Sequence, residues 1–276
     1  MRFGLLRRGS LRRCHAASMK RVQLSEYDIV GIRAPNPGPF TLTGTNSWIV
    51  ARDPAWVVDP GPAIETHLEA LTTELERRGG LGGIALTHDH LDHAQAVPEL
   101  QRRFQGARLA AARAGADDLL VDGSRFGPLT ALRTPGHAVD HVAYILGEVG
   151  LTGDAVLGEG SVFIYPDAGA MAGYLDALAR LCRMRLSILC PGHGPVIRDP
   201  GRKLADYIAH RLDRERRVVA SLAAGRRSVQ ALLDDVWEDA PEALRPAAAV
   251  TLAAHLDKLA DEGRLPDGVE RPGGWS

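Results

Sequence analysis

The run Thr87-His88-Asp89-His90-Leu91-Asp92-His93 packs imidazoles and carboxylates into a few residues. It follows an apolar stretch, 84–87, that reads as a strand, and precedes 94–104, whose spacing predicts a helix. Its ligand-type side chains His88, His90, Asp92 and His93 therefore sit on a tight loop and can converge. Neutral imidazoles and carboxylates are the donors that suit zinc where cysteine is absent. Three more groups follow in order: Gly136-His137, Thr152-Gly153-Asp154 and Pro191-Gly192-His193-Gly194. Each puts one donor at the carboxyl end of an expected strand beside glycine, where the backbone leaves room for a cation. Alone, His137 or His193 would more often be a satisfied structural histidine. Five of the ten histidines fall in this ordered pattern, however, which is too concentrated for a solvated-surface origin.

In this order the motifs resemble the metallo-β-lactamase superfamily over nearly the whole chain. The resemblance implies one cation on His88, His90 and His137, a second on Asp92, His93 and His193, and Asp154 as the carboxylate between them. It implies a hydrolase with two zinc ions per chain, although iron and manganese suit the same donors. Two adjacent cations lower the pKa of a bridging water toward ~7, making hydroxide available, and polarise the oxygen under attack. In that scheme Asp154 fixes the metal separation and Asp92 orients the attacking hydroxide, so these are the candidate catalytic residues. Asp59 and His141 are expected to support the ligating imidazoles from behind, with turn capping equally open for Asp59. Cys190 is expected to be buried at a strand end rather than to ligate.

The elements that must position these groups can be read from periodicity and turn residues. Residues 47–51 and 56–59 form an expected hairpin, and 64–78 an amphipathic helix stopped by Gly79 and Gly80. Further strands are expected at 108–111, 129–134 and 187–190, a hairpin at 142–146 and 150–152, and a helix at 170–182. Two rounds of strands and helices with polar motifs at strand ends predict a layered α/β sandwich, and the resemblance implies its αββα metallo-β-lactamase form. From Arg202 onward the strands disappear. Helices are expected over 204–223, over 229–238 capped by Ser228, and from Pro241 to Gly263, making a small all-α, winged-helix-like domain. The expected division is 1–20 as a basic extension, 21–200 as the catalytic domain and 201–276 as the winged-helix-like domain.

Composition narrows the partners. A net charge of −1 over 276 residues gives no global attraction to nucleic acid or anionic membrane. No apolar run approaches a membrane span, and Cys14, Cys182 and Cys190 outline no disulfide framework, which suggests a reducing cytoplasm. The arginine-rich start up to Lys20 reads either as a mitochondrial leader, were the source eukaryotic, or as a tail ahead of a true start at Met19. The scarcity of lysine against arginine favours a bacterial, and hence cytoplasmic, source. The arginines from Arg211 to Arg227 are interleaved with Asp213 and Glu215 and read as a solvated face.

Antibiotic hydrolysis is a poor expectation, because two-zinc β-lactamases commonly carry cysteine where Asp154 stands and no secretory signal is visible. Asn36-Pro37-Gly38-Pro39, Gly44-Thr45-Asn46, the run 153–160, residues 191–197 and Tyr207-Ile208-Ala209-His210-Arg211 resemble the β-lactamase-like protein 2 family. That resemblance implies a phosphodiesterase acting on single-stranded RNA. The alternative is a thioester hydrolase of the glyoxalase II type, which presents the same ligands. A non-enzyme alternative is a metal-sensing nucleic-acid-binding protein. Duplex DNA is disfavoured, because the third helix offers Arg245 and Lys258 against Glu242, Asp257, Asp261 and Glu262. The tail is expected instead to cap the active site or to mediate homodimerisation.

Overall fold

The computed structural model describes residues 20–273. The basic extension with Cys14 and Met19, and Trp275 at the other end, lie outside them. A seven-stranded sheet runs in chain order through β1 (Arg21–Leu24), β2 (Ile29–Arg33), β3 (Asn46–Val50), β4 (Ala55–Val58), β5 (Leu81–Ala85), β6 (Arg108–Ala111) and β7 (Asp118–Leu119). Its first four strands are antiparallel and the rest parallel. The parallel crossovers are made by α1 (Glu65–Arg77) and by α2 (Leu91–Ala94) with α3 (Val97–Arg103). A second sheet contains β8 (Arg125–Phe126), β9 (Leu129–Arg133), β10 (Val142–Leu146), β11 (Val149–Gly153) and β12 (Ile188–Pro191), ordered β12-β11-β10-β9-β8. Its one parallel pair, β11 with β12, is joined through α4 (Ala170–Arg183).

Strand alternation explains the layering. In β3, Trp48 and Val50 point between the sheets, where they meet Ala131, Tyr144, Leu151 and Cys190, while Ile49 points out under the helices. Leu68, Leu71 and Leu75 form the inner stripe of α1 and cover that outer face with Val97 and Leu100. Full burial of a leucine such as Leu71 contributes about 1.5–3 kcal/mol. The far side of the second sheet is covered by Met171, Tyr174, Leu178 and Leu181 of α4. The result is the α/β sandwich with layers α, β, β, α.

The chain continues into α5 (Pro200–Ala223), capped by Asp199, whose carboxylate accepts from the Arg202 backbone at 3.0 Å. Leu204 and Tyr207 of this helix pack on α4, while Val218 and Leu222 join a separate apolar cluster. That cluster is completed by α6 (Val229–Val236), α7 (Arg245–Asp261) and Trp237. Ser228 caps α6 as expected, accepting from Ala231 at 3.3 Å. No helix among the described residues is long and apolar enough to cross a membrane.

Several local readings need correction. The helix expected over 94–104 is two helices, α2 and α3. Pro98 lacks the amide that would bond back to Ala94, and the Ala96 amide donates to Gly61 instead, at 3.0 Å. The helix expected from Pro241 begins at Arg245, after a 3-10 turn, Glu242–Leu244. The strands β1, β2, β7 and β8 had no clear signal in the sequence.

Candidate metal centre

Every ligand-type residue singled out lies at one edge of the sandwich, just past the carboxyl end of a strand. β5 leads into His88, His90, Asp92 and His93; β9 into His137; β11 into Asp154; and β12 into His193. The two sheets are tied together there by Asn46, whose side-chain amide donates to Pro191 and Gly194 carbonyls at 3.1 and 2.9 Å. Trp48 adds an indole bond to Pro191 at 3.0 Å. Glycine is required where these loops close on one another. A Cβ on Gly192 would lie 2.5 Å from Asp154 Oδ1 and 2.7 Å from His93 Cε1.

Three overlapping groups result, each with donor atoms within 4.8 Å of one another: His88, His90 and His137; His88, His93 and Asp154; Asp92, His93 and His193. Asp154 lies between the outer two, 3.6 Å from His137 Nε2 and 3.4 Å from His193 Nε2. Asp89 stays apart and pairs with Arg113 at 3.0 Å.

The hydrogen bonds behind the rings decide which nitrogens face inward. Thr87 Oγ1 donates to Asp59 at 2.7 Å, so it accepts from His88 Nδ1 at 2.9 Å. His93 donates from Nδ1 to the Asp59 carboxylate at 2.9 Å. His137 and His193 donate from Nδ1 to the carbonyls of Phe163 and Gly44, at 3.3 and 3.4 Å. All four rings therefore turn toward the centre the Nε2 that is the free donor of the neutral tautomer. His88 Nε2 and His137 Nε2 both lie 3.0 Å from His90 Nδ1, and His93 Nε2 lies 3.2 Å from His193 Nε2. Lone pairs converge there with too few protons to satisfy them, and Asp154 Oδ1 is buried with no hydrogen-bond partner. This arrangement fits divalent cations.

Electrostatics point the same way. Burial, then the neighbouring imidazoles His93 and His137, push His88 well below the usual histidine range. Burial lowers His137 to about 4. At His193 burial also opposes charge, but Asp154 and Asp92 outweigh it and raise the ring to about 10. The field that would hold that proton attracts a cation, which must displace it.

Of the supporting residues, Asp59 accepts from the Thr87 backbone, the Thr87 hydroxyl and His93, so it orients two ligands. His141 acts on a different partner: its Nε2 accepts from the Asp154 amide at 3.1 Å, and Nδ1 lies 2.7 Å from Thr134 Oγ1. Thr45, which sequence reasoning missed, tethers Asp92 by a 3.2 Å bond. Its only signal was its place in the Gly44-Thr45-Asn46 motif. Cys190 is buried between the sheets, and burial raises its thiol far above the ordinary range.

A cleft of about 620 Å³ opens onto this cluster, with His90, Asp92, His137, Asp154 and His193 on its wall. The rest of the lining is largely apolar. Phe40, Leu42, Leu91, Leu157, Val162 and Phe163 contribute to it, and Trp237, Leu244 and Ala248 come from the C-terminal segment. Phe163 stacks edge-on against both His137 and Phe40, with centroids 4.9 and 5.7 Å apart. Arg211 and Arg214 also line the cleft, but neither is on a solvated face: they are 2% and 6% exposed. Here the sequence expectation fails, because α5 is packed on several sides by α4, α6 and the loop through Val162.

The comparisons with known proteins agree with this architecture. The model of the metallo-beta-lactamase superfamily matches residues 40–116, and that of the beta-lactamase associated winged helix domain matches 228–275. An atrochrysone carboxyl ACP thioesterase of Aspergillus chevalieri is 34% identical over 270 residues, covering 88% of this chain and 85% of its own. A beta-lactamase-like protein 2 homolog of Drosophila melanogaster is 29% identical, covering 86% of this chain and 89% of its own. Among solved structures, a beta-lactamase domain protein from Burkholderia ambifaria superposes with a TM-score of 0.74 at 21% identity, over 94% of both chains. With its sandwich, its cluster of strand-end histidines and aspartates, and its appended winged-helix domain, the chain belongs to the metallo-β-lactamase superfamily of hydrolases.

Proposed function

We propose that this protein is a dinuclear zinc hydrolase of acyl thioesters, with His88, His90 and His137 holding one ion and Asp92, His93 and His193 the other. Asp154 bridges the two groups. The observation that carries the substrate class is the apolar cleft over the cluster, whose walls suit an acyl chain. Single-stranded RNA, the substrate the sequence put first, has weaker support, because such strands are tracked by exposed cations and aromatic platforms. The arginines nearest the cleft are buried, and Arg214 is committed to Asp239 at 2.7 Å.

When bound, such ions lower the pKa of water toward ~7 and polarise the carbonyl. The chain supplies the rest. Asp92, tethered by Thr45 and facing the cleft, orients the attacking water and accepts its proton on the carboxylate. The new C–O bond forms as the C–S bond breaks, and the proton passes to the departing sulfur. A thiol with a pKa near ~8.5 leaves as thiolate without a strong proton donor, whereas a ribose alkoxide needs one. The relative named as a thioesterase supports the same class.

The test is thiol release from octanoyl-N-acetylcysteamine by protein stripped with chelator and reloaded with zinc, beside Asp154→Ala prepared identically. Turnover should fall by at least ~10²-fold in the variant. Absence of thiol release, together with cleavage of end-labelled single-stranded RNA that the variant loses, would replace this reading with the phosphodiesterase one.

A further inference from the structure

Three arginines in the described residues are almost wholly buried, and two have carboxylate partners. Arg78 is paired with Glu74 at 2.8 Å and Asp28 at 3.2 Å, and Arg214 with Asp239 at 2.7 Å. Arg211 has none: among the described residues, no carboxylate lies within 4.0 Å of it. Its Nη2 donates to the Val162 carbonyl, and its guanidinium lies 5.6 Å from the Tyr174 ring centroid. Its Nε is buried without a partner. A cation taken from water needs a counter-charge, and a carbonyl and the face of one aromatic ring supply only part of it.

The position of Arg211 says where that charge would come from, for its side chain lines the cleft that opens on the cluster. Burial, then the cations Arg211 and Arg214, hold His210 beside it below its usual range. His210 and Arg214 line the same wall, Asp239 is taken up by Arg214, and His255 behind is held neutral, at about 3, by burial and then by Arg211 and Lys258.

We propose that Arg211 is the binding site for an anionic group of the substrate, a carboxylate or phosphate oxyanion that enters the cleft and completes the buried ion pair. This deepens the thioesterase reading by giving the substrate an acidic end, on either its acyl or its carrier side. The test reads binding alone, so it remains decisive should thioester turnover fail.

Calorimetric titrations on the zinc-loaded chain compare suberate with octanoate, and pantetheine 4′-phosphate with pantetheine, at constant ionic strength. The wild type, Arg211→Gln and Arg211→Lys are each titrated. In one pair, the member with the additional anion should bind the wild type about 10- to 100-fold tighter, the range for a hydrogen bond to a charged partner. That preference should vanish in Arg211→Gln and persist in Arg211→Lys, while the other member binds all three proteins alike. A preference for suberate assigns the anion to the acyl group, and one for the phosphate assigns it to the carrier. No preference in the wild type overturns the proposal, as does a preference that survives Arg211→Gln. Equal weakening of every probe in both variants also overturns it, leaving Arg211 as a strut for Val162.

Discussion

The two walls of the cleft are built on opposite plans. The wall of candidate metal ligands is polar, and four of its rings are fixed from behind by Asp59, Thr87 and the Phe163 and Gly44 carbonyls. The helical wall is largely apolar, and the arginines that line it, Arg211 and Arg214, are almost wholly buried. Arg214 pairs with Asp239, and Glu215 with Lys258 at 3.0 Å. The first wall can vary little, since the orientations of His93, His137 and His193 depend on partners far away in sequence. The second can change its side chains without disturbing the ligands. On the proposed reading, reaction class resides in the strand ends and substrate choice in the helices.

The largest effect that would break this contrast is expected at Asp59. Asp59→Asn keeps the shape but replaces one acceptor oxygen by a donor, so the Thr87 amide, or the Thr87 hydroxyl together with His93 Nδ1, loses its acceptor and the candidate ligands lose their common orientation. Zinc affinity by chelator competition should fall about 10- to 100-fold, with the fold intact by circular dichroism. An unchanged affinity would show that the polar wall tolerates variation as freely as the apolar one.

A second effect separates the walls by pH. His255 sits among α5, α7 and Trp237, fully buried, and burial together with the nearby cations lowers it to about 3 from 6.5. A depressed folded value means the unfolded chain binds more protons between those limits. The stability contribution is complete above pH 6.5 and is lost as pH falls toward 3, at about 1.4 kcal/mol per pH unit. In melts between pH 7.5 and 5, the stability of the wild type relative to His255→Leu should therefore fall as acid is added. Parallel curves would show that His255 is hydrated in the fold.

The smallest effect concerns the rim. Leu91 is 73% exposed at the mouth of the cleft, beside His90 and Asp92. Leu91→Ser should raise KM for an octanoyl thioester by a few-fold through lost apolar contact, with kcat nearly unchanged. A loss confined to kcat would place the rim with the catalytic wall.

The sequence exposed the first wall far better than the second. A cation needs several donors in one place, so His88, His90, Asp92 and His93 had to share a loop, and glycine had to flank the rest. Thr45 reaches Asp92 across 47 positions, and the Asn46 amide reaches Pro191 across 145, separations that no local pattern encodes. Arg211 was misread for a related reason: interleaved charges signal solvent only when nothing packs over them, and here the loop through Val162 does. The short strands β7 and β8 have two residues each, too few for an alternation to register.

Helix α5 carries a mechanical consequence. Its first turns are anchored in the apolar layer of the sandwich and its last turns in the C-terminal cluster, with an unbroken backbone between. It works as a beam cast into both blocks: the jaws of the cleft share one rigid member, and hinging them apart would mean fracturing it. Adjustment to a ligand is thereby left to exposed side chains such as Phe40 and Leu91 at the entrance, and on the proposed reading the spacing between the jaw and the histidine cluster acts as a fixed gauge for acyl-chain length.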